Sequence, residues 1–381
     1  MNRIKQFMED DNKLLTLTGP AGSGKTTLLR MVAAEIETAV FCAPTNKAAA
    51  QLRKLGFKKA TTLDKVLHKK QYAGYFRDPT PEEIEFWKAN DHPILDRVEV
   101  EEYEVIDNAA PGLLVVLDEA SMSNLEEIHK LTSLYGKVFA VGDGFQLPPV
   151  EGREWFQQWQ HDIVLNKIVR TAEGSKLAEL CQRVRNRDPN WDNHDYGDEV
   201  VFLYGTPKKL PLDALPYLKD ADIVLAFKND TCDTFNVLIR EERDLMRSDD
   251  QTQPVSGDWL LAWSKDEKLG IYKSERYLVH SSTPFAGGYR VKFLVDGALQ
   301  IVPINKAKLQ RQKPERDIYV RDCLPFSYGH CITVHKSQGG EWDSVFVIAS
   351  DKAKSGKYGM DYWNWLYTAV SRARKRLVVL L

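Results

Sequence analysis

Gly19-Pro20-Ala21-Gly22-Ser23-Gly24-Lys25-Thr26 satisfies G-x-x-x-x-G-K-[S/T], and few sequence features restrict a fold as tightly. Such a loop works between a buried strand and a helix. Its backbone N–H groups close on phosphate oxygens while the helix N-terminus turns partial positive charge towards them. The flanks agree. Leu14-Leu15-Thr16-Leu17-Thr18 is apolar and β-branched, and Leu28, Leu29, Val32, Ala33 and Ile36 recur at helical spacing behind the loop. The glycines keep Cβ atoms away from a bound phosphate, Lys25 reaches β- and γ-phosphates, and the Thr26 hydroxyl is a Mg²⁺ ligand. With Thr27 carrying the cradle into the helix, residues 19–27 form one candidate site for a nucleoside triphosphate.

Short strands and helices alternate through the first third of the chain. Strand-like runs at 40–44, 113–121 and 137–143 flank a helical stretch at 46–55, which predicts an α/β fold with a parallel sheet covered on both faces. Residues 71–110 break the pattern with Tyr72, Tyr75, Phe76 and Trp87 and an acidic, alternating stretch at 98–105, and read as a small insertion. A second α/β pattern begins near residue 161 and includes strands at 222–227, 345–350 and 376–381. Within it, residues 257–325 are strand-rich with short loops, as in a small all-β insertion. The expected organisation is 1–70 with 111–160, insertion 71–110, then 161–256 with 326–381, and insertion 257–325.

Composition narrows the class without naming a partner. At 381 residues with 43% hydrophobic and 28% charged side chains, the chain is expected to be a multidomain soluble protein. It has no apolar run of membrane-spanning length and no secretory pattern at its start, so a cytoplasmic protein without membrane contact is expected. The five scattered cysteines have neither disulfide nor zinc spacing. A net charge of −2 does not announce a polyanion binder, although basic clusters at 53–59, 65–70 and 306–321 supply local positive charge.

Two further constellations carry chemistry. Asp118-Glu119 ends the apolar run Leu113-Leu114-Val115-Val116-Leu117, where a parallel sheet delivers side chains to its ligand crevice. An Asp there can hold Mg²⁺ and the adjacent Glu can polarise an attacking water. Gln146, in the loop after the next strand, offers an amide to a γ-phosphate or that water. At loop-to-helix turns, Thr45, Asn46 and Thr61 carry short hydroxyl or amide side chains and backbone N–H suited to the phosphates of a single strand, and equally to helix capping, with Pro44 adjoining them in the first turn as a further contact candidate.

In this order the phosphate loop, DEAS and GDxxQLPPV resemble superfamily 1 helicases. The later blocks LNKIVR (165–170), YGHCITVHKSQGGEWDSV (328–345) and WLYTAVSRAR (365–374) resemble that family's motifs IV, V and VI. TVHKSQG resembles the 5′-to-3′ branch, the RecD-like and phage Dda-like helicases. The resemblance implies two RecA-like motor domains, a pin inserted in the first and an SH3-like domain in the second, with ATP and Mg²⁺ as cofactors. It implies that Arg170 and Arg372 reach the γ-phosphate from the second motor domain, and that Gln338, Gly339 and Glu341 lie at the nucleotide. Thr333 and His335 are then expected at the DNA strand and Tyr103 at the pin. Two positions depart from the family pattern: Asp64 stands where motif Ib commonly has His, and Gln6 is the available counterpart of the adenine-reading glutamine.

The activity so implied is 5′-to-3′ translocation on single-stranded DNA with unwinding of forked duplex, in replication, recombination or repair, with protein partners unspecified; a phage or bacterial cell suits the compact architecture. Two other classes remain open. A P-loop phosphotransferase leaves residues 328–374 without a role. A nucleotide-gated DNA-binding ATPase that does not unwind processively keeps every motif.

Overall fold

The computed structural model describes residues 1–381 except 71–74, 78–79, 82–84, 86–97, 101–102, 106–112, 167–174, 248, 267, 296, 307–308, 310–322 and 352–361. At 69–70, 75–77, 98–100 and 103–105 it describes the backbone alone. The chain divides into two compact units. One comprises Met1–Lys69, Val105–Lys228 and Thr333–Leu381, the other Lys70–Glu104 and Asn229–Ile332.

The first unit is α/β. One sheet orders its strands Ile163–Val164, Leu14–Thr18, Lys137–Gly142, Leu114–Leu117, Val40–Ala43 and Thr61–Thr62, all parallel. Parallel strands covered on both faces are apolar at nearly every position, as the central strands Leu114–Leu117 and Val40–Ala43 are. Leu15, Leu17, Leu114, Val116, Phe139 and Val141 face one layer, where Ile4, Phe7, Leu29, Val32, Ala49 and Leu52 from three helices meet them. The alternate residues Val115, Leu117, Val138 and Ala140 face the other layer, built on Leu63, Val66, Ile128 and Leu131. Each such side chain contributes roughly 1.5–3 kcal/mol on full burial, so the two-faced pattern drives the fold rather than decorating it. Helix Leu125–Tyr135 shows how local sequence sets the ends: Asn124 and Glu127 form a reciprocal capping box, and Gly136 stops the helix at φ 74°.

Strand order decides where the chemistry gathers. The strands ending at Thr18, Gly142 and Leu117 are neighbours, so the loops leaving their carboxyl ends emerge side by side. Those loops carry the phosphate cradle, Asp143 to Gln146, and Asp118-Glu119. A second parallel sheet of the same unit runs Val200–Leu203, Ala373–Leu380, Trp342–Ile348, Ile223–Ala226. Helix Tyr362–Val370 is buried from Asn364 to Val370. It is apolar on most sides because it is packed on most sides.

The second unit is β-rich. Strands Ala298–Asn305, Gly288–Val295, Arg276–Phe285, Trp259–Ala262 and Phe326–Tyr328 form an antiparallel sheet in that order. In Gly288–Val295, exposed Arg290, Lys292 and Leu294 alternate with buried Val291, Phe293 and Val295, so one face packs and the other meets solvent. The core includes Val279, Tyr289, Val302, Ile304 and Phe326, with the Phe293 and Phe326 rings stacked at 5.3 Å. Helix Asn229–Glu242 joins this unit through Arg240, whose guanidinium donates to both oxygens of the fully buried Asp258 carboxylate (2.9 and 3.2 Å). The backbones of Tyr75–Arg77 and Val98–Val100 pair antiparallel, so residues in the first insertion form a hairpin-like ribbon.

Candidate active site

The phosphate loop follows directly from its glycines. Gly22 and Gly24 sit at φ 76° and 92°, in the left-handed region that L side chains avoid, and Gly24 is the N-cap of helix Lys25–Glu35. At Gly19 the constraint is space instead: a Cβ would lie 2.6 Å from Ser23 Oγ and 2.9 Å from Leu165 Cβ. Lys25 Nζ folds over the loop and donates to the carbonyls of Gly19 (2.8 Å) and Pro20 (2.9 Å).

Asp118 and Glu119 stand at the end of the neighbouring strand, with the Asp118 N–H donating to Cys42 O at 2.9 Å. Burial, then the adjacent Glu119 carboxylate, pushes Asp118 well above the usual carboxylate range, and Lys25 partly opposes the shift. Glu119 is held at φ 54°, a backbone conformation that costs a non-glycine residue on the order of 1 kcal/mol. Glu119 Oε2, Gln146 Oε1 and Ser23 Oγ are buried without a hydrogen-bond partner among the described residues. An orphaned buried polar atom costs roughly 1–3 kcal/mol, so three of them around one loop mark a place built for a polar ligand. The donor set suits ATP with Mg²⁺: Thr26 and Asp118 supply hard oxygens, and Mg²⁺ takes few protein ligands beside phosphate and water.

The second sheet completes the cleft. A cavity of about 440 Å³ is bordered by Gly24, Lys25, Thr26, Asp118, Glu119 and Gln146 from the first half, and by Gly339, Glu341 and Arg372 from the second. Arg372 is 3% exposed and held on three sides. Its Nε donates to Thr368 O (2.9 Å), Nη1 to Gly340 O (3.2 Å) and Nη2 to Ser371 Oγ (3.1 Å). Gln338 turns away from the cavity lining and donates to Leu147 O at 3.2 Å, joining the two halves. Gly339 sits at φ 71°, where a glycine is favoured, and a Cβ there would lie 3.5 Å from Ala48.

Several contacts were not singled out from sequence. Tyr367 Oη donates to Asp143 Oδ2 at 2.6 Å and accepts from Ala21 N at 3.3 Å. Leu147 N donates to Thr368 Oγ1 at 2.9 Å, and Lys47 Nζ lies 4.8 Å from the Trp342 ring centre. Gln51 and Arg30 border the cavity as well. No local signal points to any of these, because each joins segments far apart in the chain.

The strand-contact candidates fall in ordinary structural settings. Thr45 caps helix Asn46–Lys54 by accepting from Ala48 N at 3.1 Å. Thr61 belongs to a short strand while its neighbour Thr62 caps the next helix. Thr333 is the N-cap of the short helix Val334–Ser337 without a side-chain cap bond, and His335 on that helix is half-buried. Pro44 and Asn46 flank Thr45 at the same turn. Asp64 is engaged with His68 Nδ1 at 2.9 Å, and His68 Nε2 meets Lys130 at 2.6 Å. Gln6 is exposed, with its side-chain oxygen accepting from Arg3 at 3.0 Å. Arg170 lies outside the described residues, and so does the side chain of Tyr103, whose backbone opens strand Tyr103–Val105.

A phosphate cradle and paired carboxylates at the edge of one parallel sheet, facing an arginine carried by a second, define a P-loop nucleoside triphosphatase with two RecA-like halves. The family model described as AAA domain matches residues 1–199, and the chain belongs to that family. Residues 328–380 match the UvrD-like helicase C-terminal domain. No curated protein matches the chain in sequence. Among solved structures, a Pif1 helicase from a study of unwinding at forked duplex DNA is similar at 19% identity and TM-score 0.55, over 99% of this chain and 90% of that one. Pif1 from Bacteroides, solved with ADP-AlF3 and single-stranded DNA, gives 18% identity and TM-score 0.55 over 99% and 91%. Pif1 from Candida albicans gives 16% and 0.50 over 100% and 92%. At such identities the likeness establishes the fold, and with the family matches it bears out the superfamily 1 helicase class expected from the motifs. Among the described residues, no helix is long and apolar enough to cross a membrane.

Proposed function

We propose that this protein is an ATP-dependent DNA helicase that moves 5′ to 3′ on a single strand and unwinds the duplex ahead of it. The observation that carries the reading is Arg372. A buried cation of the second half borders the same cleft as Lys25, Asp118 and Glu119 of the first. A fixed guanidinium facing a phosphate cradle is the arrangement that neutralises transition-state charge in phosphoryl transfer, worth roughly 10³–10⁵ in rate where measured. Lys25 would leave its loop carbonyls for the β- and γ-phosphates. Glu119 Oε2 and Gln146 Oε1 would orient the attacking water, each gaining the partner it lacks. Thr26 and Asp118 would hold Mg²⁺, which when bound offsets phosphate charge.

In this reading 1–70 with 111–160 and 161–256 with 326–381 are the two motor domains. Residues 71–110 form the pin, with Tyr103 as its candidate aromatic, and 257–325 the SH3-like domain. Arg170 acts beside Arg372. Turns carrying Pro44, Thr45, Asn46, Thr61, Thr333 and His335 grip the strand, alternating with closure of the cleft. The 5′-to-3′ direction rests on TVHKSQG at 333–339 and on the fold shared with Pif1 helicases. Replication, recombination and repair, in a bacterial or phage-infected cytoplasm, are the settings such an activity serves.

The test is unwinding of forked duplexes that carry one single-stranded tail, either 5′ or 3′, with ATP and Mg²⁺. Unwinding from the 5′ tail alone is expected, weakening as salt rises because phosphate contacts carry the affinity. Efficient unwinding from the 3′ tail alone refutes the direction. ATP hydrolysis stimulated by single strands with no strand displacement from either substrate favours the nucleotide-gated binding ATPase instead.

A further inference from the structure

Asp143 is a fully buried carboxylate for which the mechanism above has no use. It follows the strand that ends beside the phosphate loop, and its oxygens are placed rather than free. Oδ1 accepts from Phe145 N at 3.2 Å, and Oδ2 accepts from Tyr367 Oη at 2.6 Å. The same phenol oxygen accepts from Ala21 N at 3.3 Å, inside the phosphate loop. One hydroxyl from the second half therefore touches two of the three loops that build the cleft in the first. Its ring is packed edge-on against Phe145 (6.4 Å between centres), and Phe145 is in turn covered by the Arg185 guanidinium at 4.3 Å.

Tyr367 is also rigidly linked to Arg372. The next residue, Thr368, receives Leu147 N on its hydroxyl and Arg372 Nε on its carbonyl, both at 2.9 Å. Tyr367 and Thr368 on helix Tyr362–Val370 and Arg372 just beyond it are thus tied by one chain of hydrogen bonds, which meets the Asp143 carboxylate and the phosphate loop through Tyr367 Oη. A short hydrogen bond from a phenol to a buried carboxylate is among the stronger kinds, and it is directional.

Resting on the helicase reading above, we infer that Tyr367 is a positioning residue: its bonds to Asp143 and Ala21 hold Arg372 in register with the phosphate loop. It touches no reacting atom. Its contribution is realised through Arg372, so it belongs to the transition state and not to ground-state nucleotide binding. Tyr367→Phe keeps the packed ring and removes only the hydroxyl, and Asp143→Asn keeps the shape and removes the charge.

The experiment is steady-state ATP hydrolysis by the full chain at saturating single-stranded DNA, for Tyr367→Phe, Asp143→Asn, Arg372→Ala and the double variant Tyr367→Phe/Arg372→Ala. Losing one charge-assisted bond predicts a fall in kcat of about tenfold for Tyr367→Phe, with KM for ATP within about twofold. Asp143→Asn should behave alike. In the Arg372→Ala background Tyr367→Phe should change kcat by less than about twofold, because the residue it positions is gone. A general packing role would instead multiply through, or raise KM in step. An unchanged kcat in both Tyr367→Phe and Asp143→Asn, or a full tenfold loss added to Arg372→Ala, overturns the inference while leaving the arginine's own role intact. An Arg372→Ala variant with wild-type kcat overturns the reading of the cleft itself, and the inference with it.

Discussion

Replacing Asp118 by asparagine keeps the shape of the side chain and removes its charge at the most strained electrostatic position of the cleft. Burial and the Glu119 carboxylate beside it hold Asp118 well above the ordinary carboxylate range, with Lys25 opposing in part. The unfolded chain releases this proton at the ordinary carboxylate pH and the folded chain only nearer neutrality. As pH rises between those two points the unfolded state gains stability relative to the folded one, and above the raised value the whole penalty is present. Asp118 is pushed up to about 7 from an ordinary 3.8, and each pKa unit is about 1.4 kcal/mol, so Asp118→Asn should stabilise the nucleotide-free protein by on the order of 4 kcal/mol at pH 8. The gap should shrink as pH falls and be small near pH 4, where the folded wild type is neutral at this position and the unfolded chain only partly ionised. Thermal melting of both proteins from pH 4 to 8 measures it. Added Mg²⁺ and nucleotide should reverse the order, stabilising wild type more, since the charge that destabilises the free protein is the one a cation needs. A variant no more stable than wild type at pH 8, or a gap that ignores pH, refutes the argument.

Lys25→Ala should abolish ATP hydrolysis and leave single-strand binding largely intact in a fluorescence anisotropy titration, because the proposed strand-gripping turns are separate from the phosphate cradle. In the β-rich unit, Asp258→Ala leaves the Arg240 guanidinium buried beside Gln251 and Gln253 carbonyls without its counter-charge. It should destabilise that unit by about 3–5 kcal/mol, read as a lowered urea midpoint, with the double replacement Arg240→Met/Asp258→Ala costing less than the single one.

The chemistry of the first half was legible in sequence because each part is local. A glycine at positive φ, a lysine one residue later and an apolar strand before them are eight consecutive positions plus their flanks. Two carboxylates ending an apolar run need no distant partner to be recognised either. The alternation of apolar strand and helix was enough for two parallel sheets, since both faces of each strand are buried and every position says so. The all-β region declared itself by the opposite pattern, one face in and one face out, as Gly288–Val295 displays.

Tertiary structure decided what depends on segments meeting from afar. Asp143 and Tyr367 are 224 residues apart, and neither carries a mark that names the other. Thr45 looked equally suited to a phosphate or to a helix end, and packing of the helix behind it made it a cap. Gln338, which the resemblance places at the nucleotide, donates to Leu147 O, a partner 191 residues away that its local sequence does not name. Arg372 lies in a run with Arg374, Lys375 and Arg376, of which it alone is buried, held at the cleft by three hydrogen bonds. Sequence determines which groups exist and which local turns present them. Only the closing of one sheet upon another sets their distances and their dielectric, and with these the raised Asp118 and the orphaned Glu119 oxygen.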